Sequence, residues 1–235
     1  VKNAHSVAGL FLRGGIVMAI MMLPSCTRTA SLGAASAPVT GSRLTLELTP
    51  GPDYRASIRV LFLFKLPLYP QVACWIETED GRYVSTVSVT AKGAKKNFFS
   101  APAAGRPEAL PVWYHRQQAA GGTTDAVSAA TPSGSSTRDW SAARLQPGKY
   151  VAMLEINRSY DYNATYTRAN AGVNGQPSLV YRADLVVGKE SFVAQFVPFG
   201  TGSLDGSNGN ITPGVEGLTT ALTLLSKAQV TYQPN

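Results

Sequence analysis

Apolar and polar positions alternate with period two along much of the chain from residue 44 onward. Leu44-Thr-Leu-Glu-Leu-Thr49 is the plainest case. In a strand, such alternation sends every second side chain to one buried face. Ser57-Ile-Arg-Val-Leu-Phe-Leu-Phe64 is longer and rich in β-prone residues, and predicts a single long strand. Ala73–Thr78 and Tyr83–Val89 flank Glu79-Asp80-Gly81-Arg82, which predicts a hairpin closed by an Asp-Gly turn. Trp75, Tyr83, Val87 and Val89 are expected in the core. Ala152–Asn157, Ser178–Val187, Phe192–Val197 and Ala228–Tyr232 read as further strands, and Gly217–Ser226 as a short helix. Residues 100–148 break the pattern with prolines, glycines and serines, and predict a long irregular segment of the kind that carries function. Within it, Trp113-Tyr114-His115-Arg116 reads as a packing or surface strand.

Eight or nine strands with turn signals between them predict an all-β sandwich with long irregular loops. Leu145-Gln-Pro-Gly-Lys-Tyr150 stands just before the strand at Val151. It resembles the tyrosine corner of immunoglobulin-like and fibronectin-like sandwiches, which implies a Tyr150 hydroxyl bonded to upstream backbone. Composition agrees with an all-β chain. Charged residues make up only 15% of the sequence, and Gly and Pro number 22 and 15.

The N-terminus carries an address. Lys2 and Arg13 precede the apolar run Ile16–Leu23, which is too short for a comfortable membrane span and suits a signal peptide. The run ends in Leu23-Pro-Ser-Cys26, which resembles the lipobox of bacterial lipoproteins and implies a lipid anchor on Cys26. The expected organisation is a lipoprotein signal at 1–26, a flexible tether at 27–43, and one sandwich domain at 44–235. With Cys26 lipidated, Cys74 has no partner for an intrachain disulfide and reads as a small buried hydrophobe.

Charge narrows the partners. Removing Lys2 and Arg13 with the signal leaves 19 bases against 14 acids, so the net +7 of the whole sequence becomes +5. No basic run is interleaved with aromatics as nucleic-acid binders require. A mild attraction to anionic envelope surfaces is what this charge implies.

Candidate chemistry is sparse. His5 and His115 are the two histidines, and His5 leaves with the signal, so no zinc site of His ligands is expected. A hydrolytic triad centred on His115 would lack any G-x-S-x-G elbow, and no catalytic residue is assigned. If the strand at Val151 runs on, Glu155, Asn157, Ser159 and Asp161 share one face. Glu155, Asn157 and Asp161 are then candidates to face a polar ligand, against the alternative of a solvated sheet face. Asp205-Gly-Ser-Asn-Gly-Asn210 has oxygen ligands but reads as a turn-rich loop.

Asp125-Ala-Val-Ser128-Ala-Ala-Thr131 lies inside the irregular segment. It resembles the flavinylation motif of extracytoplasmic FMN-binding proteins, Asp-x-x-Ser/Thr-Gly-Ala-Thr, with Ala129 where that motif has Gly and Pro132 after the last residue. The resemblance implies covalent FMN on Thr131, supported by Asp125 and Ser128, and a flavin transferase as partner. The alternative is a loop in which Asp125 and Ser128 cap backbone amides. Longer blocks, among them ACWIETEDGRYVSTV, DAVSAATP, PGKYVAMLEINRSYDYN and GQPSLVY, resemble a bacterial family of predicted periplasmic proteins of unknown function. That resemblance implies a periplasmic or cell-envelope protein associated with flavin transfer and membrane redox components. The expectation is therefore a lipid-anchored, non-catalytic accessory to an envelope redox system. The other function class kept open is an envelope binding or structural module without a cofactor.

Overall fold

A computed structural model describes residues 41–60, 64–95, 106–122, 127–129 and 131–235. They form one compact unit. The expected signal at 1–26, its Cys26, and all but the end of the tether at 27–43 lie outside the described residues, as does Asp125.

Alternation becomes strand where it was expected. In β1 (Arg43–Pro50), Leu44, Leu46 and Leu48 point inward while Thr45, Glu47 and Thr49 are half-exposed. β4 (Gln71–Thr78) and β5 (Tyr83–Thr90) make the predicted hairpin. Gly81, at φ +81°, supplies the left-handed turn residue, and the Thr78 amide donates to the Arg82 carbonyl at 2.9 Å. The expected single strand at Ser57–Phe64 is instead two, β2 (Ala56–Val60) and β3 (Phe64–Leu68), paired so that Val60 faces Phe64. Periodicity cannot show where a uniformly apolar run folds back on itself.

The irregular segment is also more ordered than expected. It holds a 3-10 turn at Pro107–Ala109, then α2 (Pro111–Ala119), β6 (Val127–Ala129) and β7 (Ser136–Ser141). A single-turn helix, α1 (Ala91–Lys95), precedes it. Trp113–Arg116 is thus helical rather than a strand. Pro111 sits at the first helical turn, where its missing N–H costs nothing. The remaining strands are β8 (Gly148–Asn157), β9 (Leu179–Val187), β10 (Phe192–Gln195), β11 (Val197–Thr201), β12 (Thr212–Pro213) and β13 (Leu225–Gln233). The short helix expected near 217–226 is a 3-10 turn at Thr220–Thr223. The strand expected at Phe192–Val197 divides at buried Phe196, so β10 and β11 join different sheets.

The fold is an all-β sandwich. One sheet has the order β10-β13-β1-β7, the other β12-β11-β9-β8-β4-β5-β6, and β2-β3 stands as a separate ribbon. Leu44, Leu46 and Val230 from the small sheet meet Cys74, Ile76, Leu154, Ile156 and Leu185 from the large one. The large sheet is covered on its other face too. There Ala73, Trp75, Val151, Met153 and Val180 pack against Leu110, Val112 and Trp113 of α2 and the turn before it. β4 and β8 are therefore buried on both sides, which is why their sequences run apolar almost without break. A register shift in the β4–β5 pair leaves Val87 unpaired opposite Cys74 and Trp75, so Val87 joins the inter-sheet core and Val89 the helix-covered one.

The Tyr150 hydroxyl donates to the Gln146 carbonyl at 3.0 Å, the bond that a tyrosine corner requires. The immunoglobulin-like assignment itself is not confirmed, since the small sheet seats the first strand between the last and the seventh.

Candidate functional site

The edge of the sandwich places the Thr131 stretch. β6 pairs in parallel with β5, with Ser88 opposite Val127, Val89 opposite Ser128 and Thr90 opposite Ala129. β7 pairs with β1 in the other sheet. Between β6 and β7 the chain must cross from one sheet to the other, and Thr131 and Pro132 lie on that crossing. Both are half-buried. Beside Pro132 is a narrow slot of about 20 Å³ between the sheets. Leu46 and Leu48 line it from the small sheet, Val72 and Val89 from the large one. Pro132 closes one side, and Ser88, Thr90, Ser136 and Arg138 supply its polar groups. At that size it has room for little more than one water molecule and does not enclose a ligand of flavin size. The Thr131 hydroxyl takes no hydrogen bond among the described residues.

Tyr54 pins this crossing. Its hydroxyl donates to the Pro132 carbonyl at 3.0 Å. Burial, and secondarily the neighbouring Tyr69, pushes the phenol up to about 12, so it remains a donor throughout the physiological range. Tyr54 is marked by no motif, because it reaches Pro132 from far along the chain. Tyr54→Phe is expected to lose about 1 kcal/mol, read by urea unfolding, because it removes one neutral hydrogen bond.

Glu155 is not presented to a ligand. It lies on the outer face of β8 and is fully buried under α2. Its Oε2 accepts the Trp113 amide at 2.8 Å, and its Oε1 accepts the Val112 amide at 3.2 Å and the Ser178 hydroxyl at 2.6 Å. The first amides of a helix have no partner within it, and a carboxylate there satisfies them and meets the positive end of the helix dipole. Burial raises the carboxyl to about 7, against the pull of Ser178, Trp113 and Val112. Gly202 closes the clasp. A Cβ there would stand 2.4 Å from the Ser178 Oγ and 2.7 Å from Pro111 Cγ, so no larger residue fits without displacement.

The polar row beyond Glu155 does not continue on one strand face. β8 stops at Asn157, and Tyr160 takes φ +61° in the turn that follows. Asn157 donates to the Gln176 carbonyl at 3.1 Å. Asp161 binds Arg158 and accepts the Thr220 hydroxyl at 2.6 Å. The Arg158 guanidinium also donates to the Asp53 carbonyl. Arg106 extends the network, donating to Ser159 Oγ and Asn174 Oδ1, each at 2.8 Å. These groups knit the loops at one end of the sandwich together. Sequence alternation put Asn157 and Asp161 on one strand face with Glu155 as ligand-facing candidates, and the turn after β8 removes that face.

His115 points its Nε2 at the Gly206 carbonyl, 2.9 Å away, as a positioned packing group. Asp205 folds its own turn, accepting Ser203 Oγ at 2.6 Å and the Ser207 amide at 3.0 Å, and these bonds hold its carboxyl down at about 2. Cys74 is fully buried, and burial pushes its thiol far up. No cluster of metal-binding side chains occurs among the described residues.

The candidate site is thus the crossing segment at Thr131, at the edge of a helix-backed β-sandwich. Residues 68–169 match the family described as predicted periplasmic protein (DUF2271), the family that the sequence blocks point to. The match spans β4 to β8 and includes both Thr131 and Glu155. No curated protein and no solved structure matches the chain.

Proposed function

We propose that this periplasmic-family protein is a lipid-anchored, non-catalytic accessory to an envelope flavin-dependent redox system, with Thr131 as the attachment point for FMN. The supporting observation is the half-buried position of Thr131 on the crossing between the two sheets, next to Pro132, which lines the slot. The Thr131 hydroxyl has no hydrogen-bond partner among the described residues, and Arg138 lines the slot next to it. The slot is too small for the flavin ring, which would lie outside it, while the Arg138 cation suits a phosphate. In the attachment step, the Thr131 oxygen attacks the FMN-side phosphorus of FAD. The pyrophosphate bond breaks, AMP leaves, and the hydroxyl proton passes to a base of the transferase. Bound FMN would supply electron transfer. Cys26 would carry the lipid that keeps the domain at the membrane.

Intact mass spectrometry of the protein co-expressed with its flavin transferase tests the reading. An FMN-sized adduct on the Thr131 peptide, lost in Thr131→Ala, is the expected result. An unmodified Thr131 peptide would overturn covalent attachment and favour the envelope binding module.

A further inference from the structure

The β2–β3 ribbon belongs to neither sheet of the sandwich. Its register pairs Ala56 with Leu68, Ser57 with Pro67, Ile58 with Leu66 and Arg59 with Lys65. Cross-strand partners share a face, and successive pairs alternate between faces. Arg59 and Lys65 therefore sit side by side on one face with Ser57 and Pro67. Arg55 leads into the same face at the ribbon's base, its guanidinium 5.9 Å from the Tyr69 ring centroid. Arg55, Ser57, Lys65 and Pro67 border an open hollow of about 350 Å³. Ile58, Leu66 and Leu68 occupy the other face, and Leu66 is 50% exposed.

Two features are unfavourable for a ribbon standing in water. Like charges directly opposite each other repel, and Arg59 and Lys65 are both exposed. No acid occurs in the sequence between Asp53 and Glu77, and none of the three cations has an ion-pair partner among the described residues. An isolated two-stranded ribbon also gains little from burial. An anionic lipid surface resolves both problems. Headgroup phosphates neutralise the paired cations, and the acyl boundary accepts the apolar face.

We infer that the β2–β3 ribbon is a docking element for an anionic phospholipid bilayer, held by Arg55, Arg59 and Lys65. The inference rests on neither the flavin nor the lipid anchor. Each cation near an anionic leaflet contributes about a fivefold gain in partitioning.

Hydrogen exchange of the full-length protein, reconstituted in vesicles, provides the test. In phosphatidylglycerol-containing vesicles, amides of residues 55–60 and 64–68 are expected to exchange about tenfold more slowly than in pure phosphatidylcholine vesicles. Arg59→Glu combined with Lys65→Glu should abolish the difference while β4 and β8 keep their protection. If those strands lose protection, the milder pair Arg59→Gln and Lys65→Gln is read in the same way. Equal exchange in the two lipids, or slowing that survives the substitutions, would overturn the inference.

Discussion

Glu155→Ala is expected to destabilise the protein by at least about 3 kcal/mol, because it strands three buried donors at once. The Val112 and Trp113 amides and the Ser178 hydroxyl all spend their protons on this one carboxyl group. Each unsatisfied buried donor costs about 1–3 kcal/mol. Pro111 precludes a shift of the helix start to recover the loss, and Gly202 leaves no room for a neighbouring side chain to substitute. Helix α2 covers the outer face of β4 and β8, so a displaced helix start exposes Trp75 and Met153 as well. Urea unfolding should show a lower midpoint for the Ala variant. Glu155→Gln keeps one acceptor and should lie between it and the parent.

The same carboxyl gives a pH dependence whose sign is fixed. Burial raises it from an ordinary 4.5 to about 7 in the folded protein. Below pH about 4.5 both folded and unfolded chains hold the proton, and the stabilisation from this linkage is fully present. As pH rises towards about 7, the unfolded chain releases the proton while the folded one keeps it, so stability falls. Above about 7 both states are ionised and the slope ends. The loss across the window is on the order of 3 kcal/mol. Glu155→Gln should flatten the curve between pH about 4.5 and 7, and an unchanged slope in that variant would assign the effect elsewhere.

The sandwich was legible because its inner faces obey period two. Leu44, Leu46 and Leu48 state the burial of β1 directly, and Asp80-Gly81 states the turn between β4 and β5. The Tyr150 corner was legible because its partner, Gln146, lies only four residues away. Signals failed where tertiary contacts decide the outcome. Trp113 reads as strand-forming in isolation, yet Glu155, far along the chain, anchors its amide at the start of a helix. Residues 57–68 contain few polar positions to mark the reversal between β2 and β3, so the run read as one strand. The Thr131 stretch was singled out by a short pattern, but its slot depends on Leu46 from the first strand and Arg138 from the seventh. No local pattern encodes that meeting.

Arg158→Leu is expected to cost about 3–5 kcal/mol, with the damage falling on Asp161 rather than on the arginine's own packing. Both side chains are buried, and the pair, made through Oδ1, is the main compensation for an Asp161 carboxylate whose Oδ2 has no hydrogen-bond partner among the described residues. Asp161 also supports the backbone around it. Its carbonyl accepts the Gln176 amide at 2.8 Å, and its own amide donates to the Asn174 carbonyl at 3.0 Å. Gly175 lies between those partners at φ +77°, where a Cβ would come within 2.4 Å of the Asp161 carbonyl. This close approach prevents the segment from moving aside to let water reach the orphaned carboxylate. A burial argument alone would make the double change Arg158→Leu, Asp161→Leu worse than either single change. The charge argument predicts the opposite, since removing both partners leaves no unpaired buried ion. The double variant should therefore recover part of the Arg158→Leu loss in urea unfolding. Simple additivity of the two losses would show that the pair acts through packing and not through its charges.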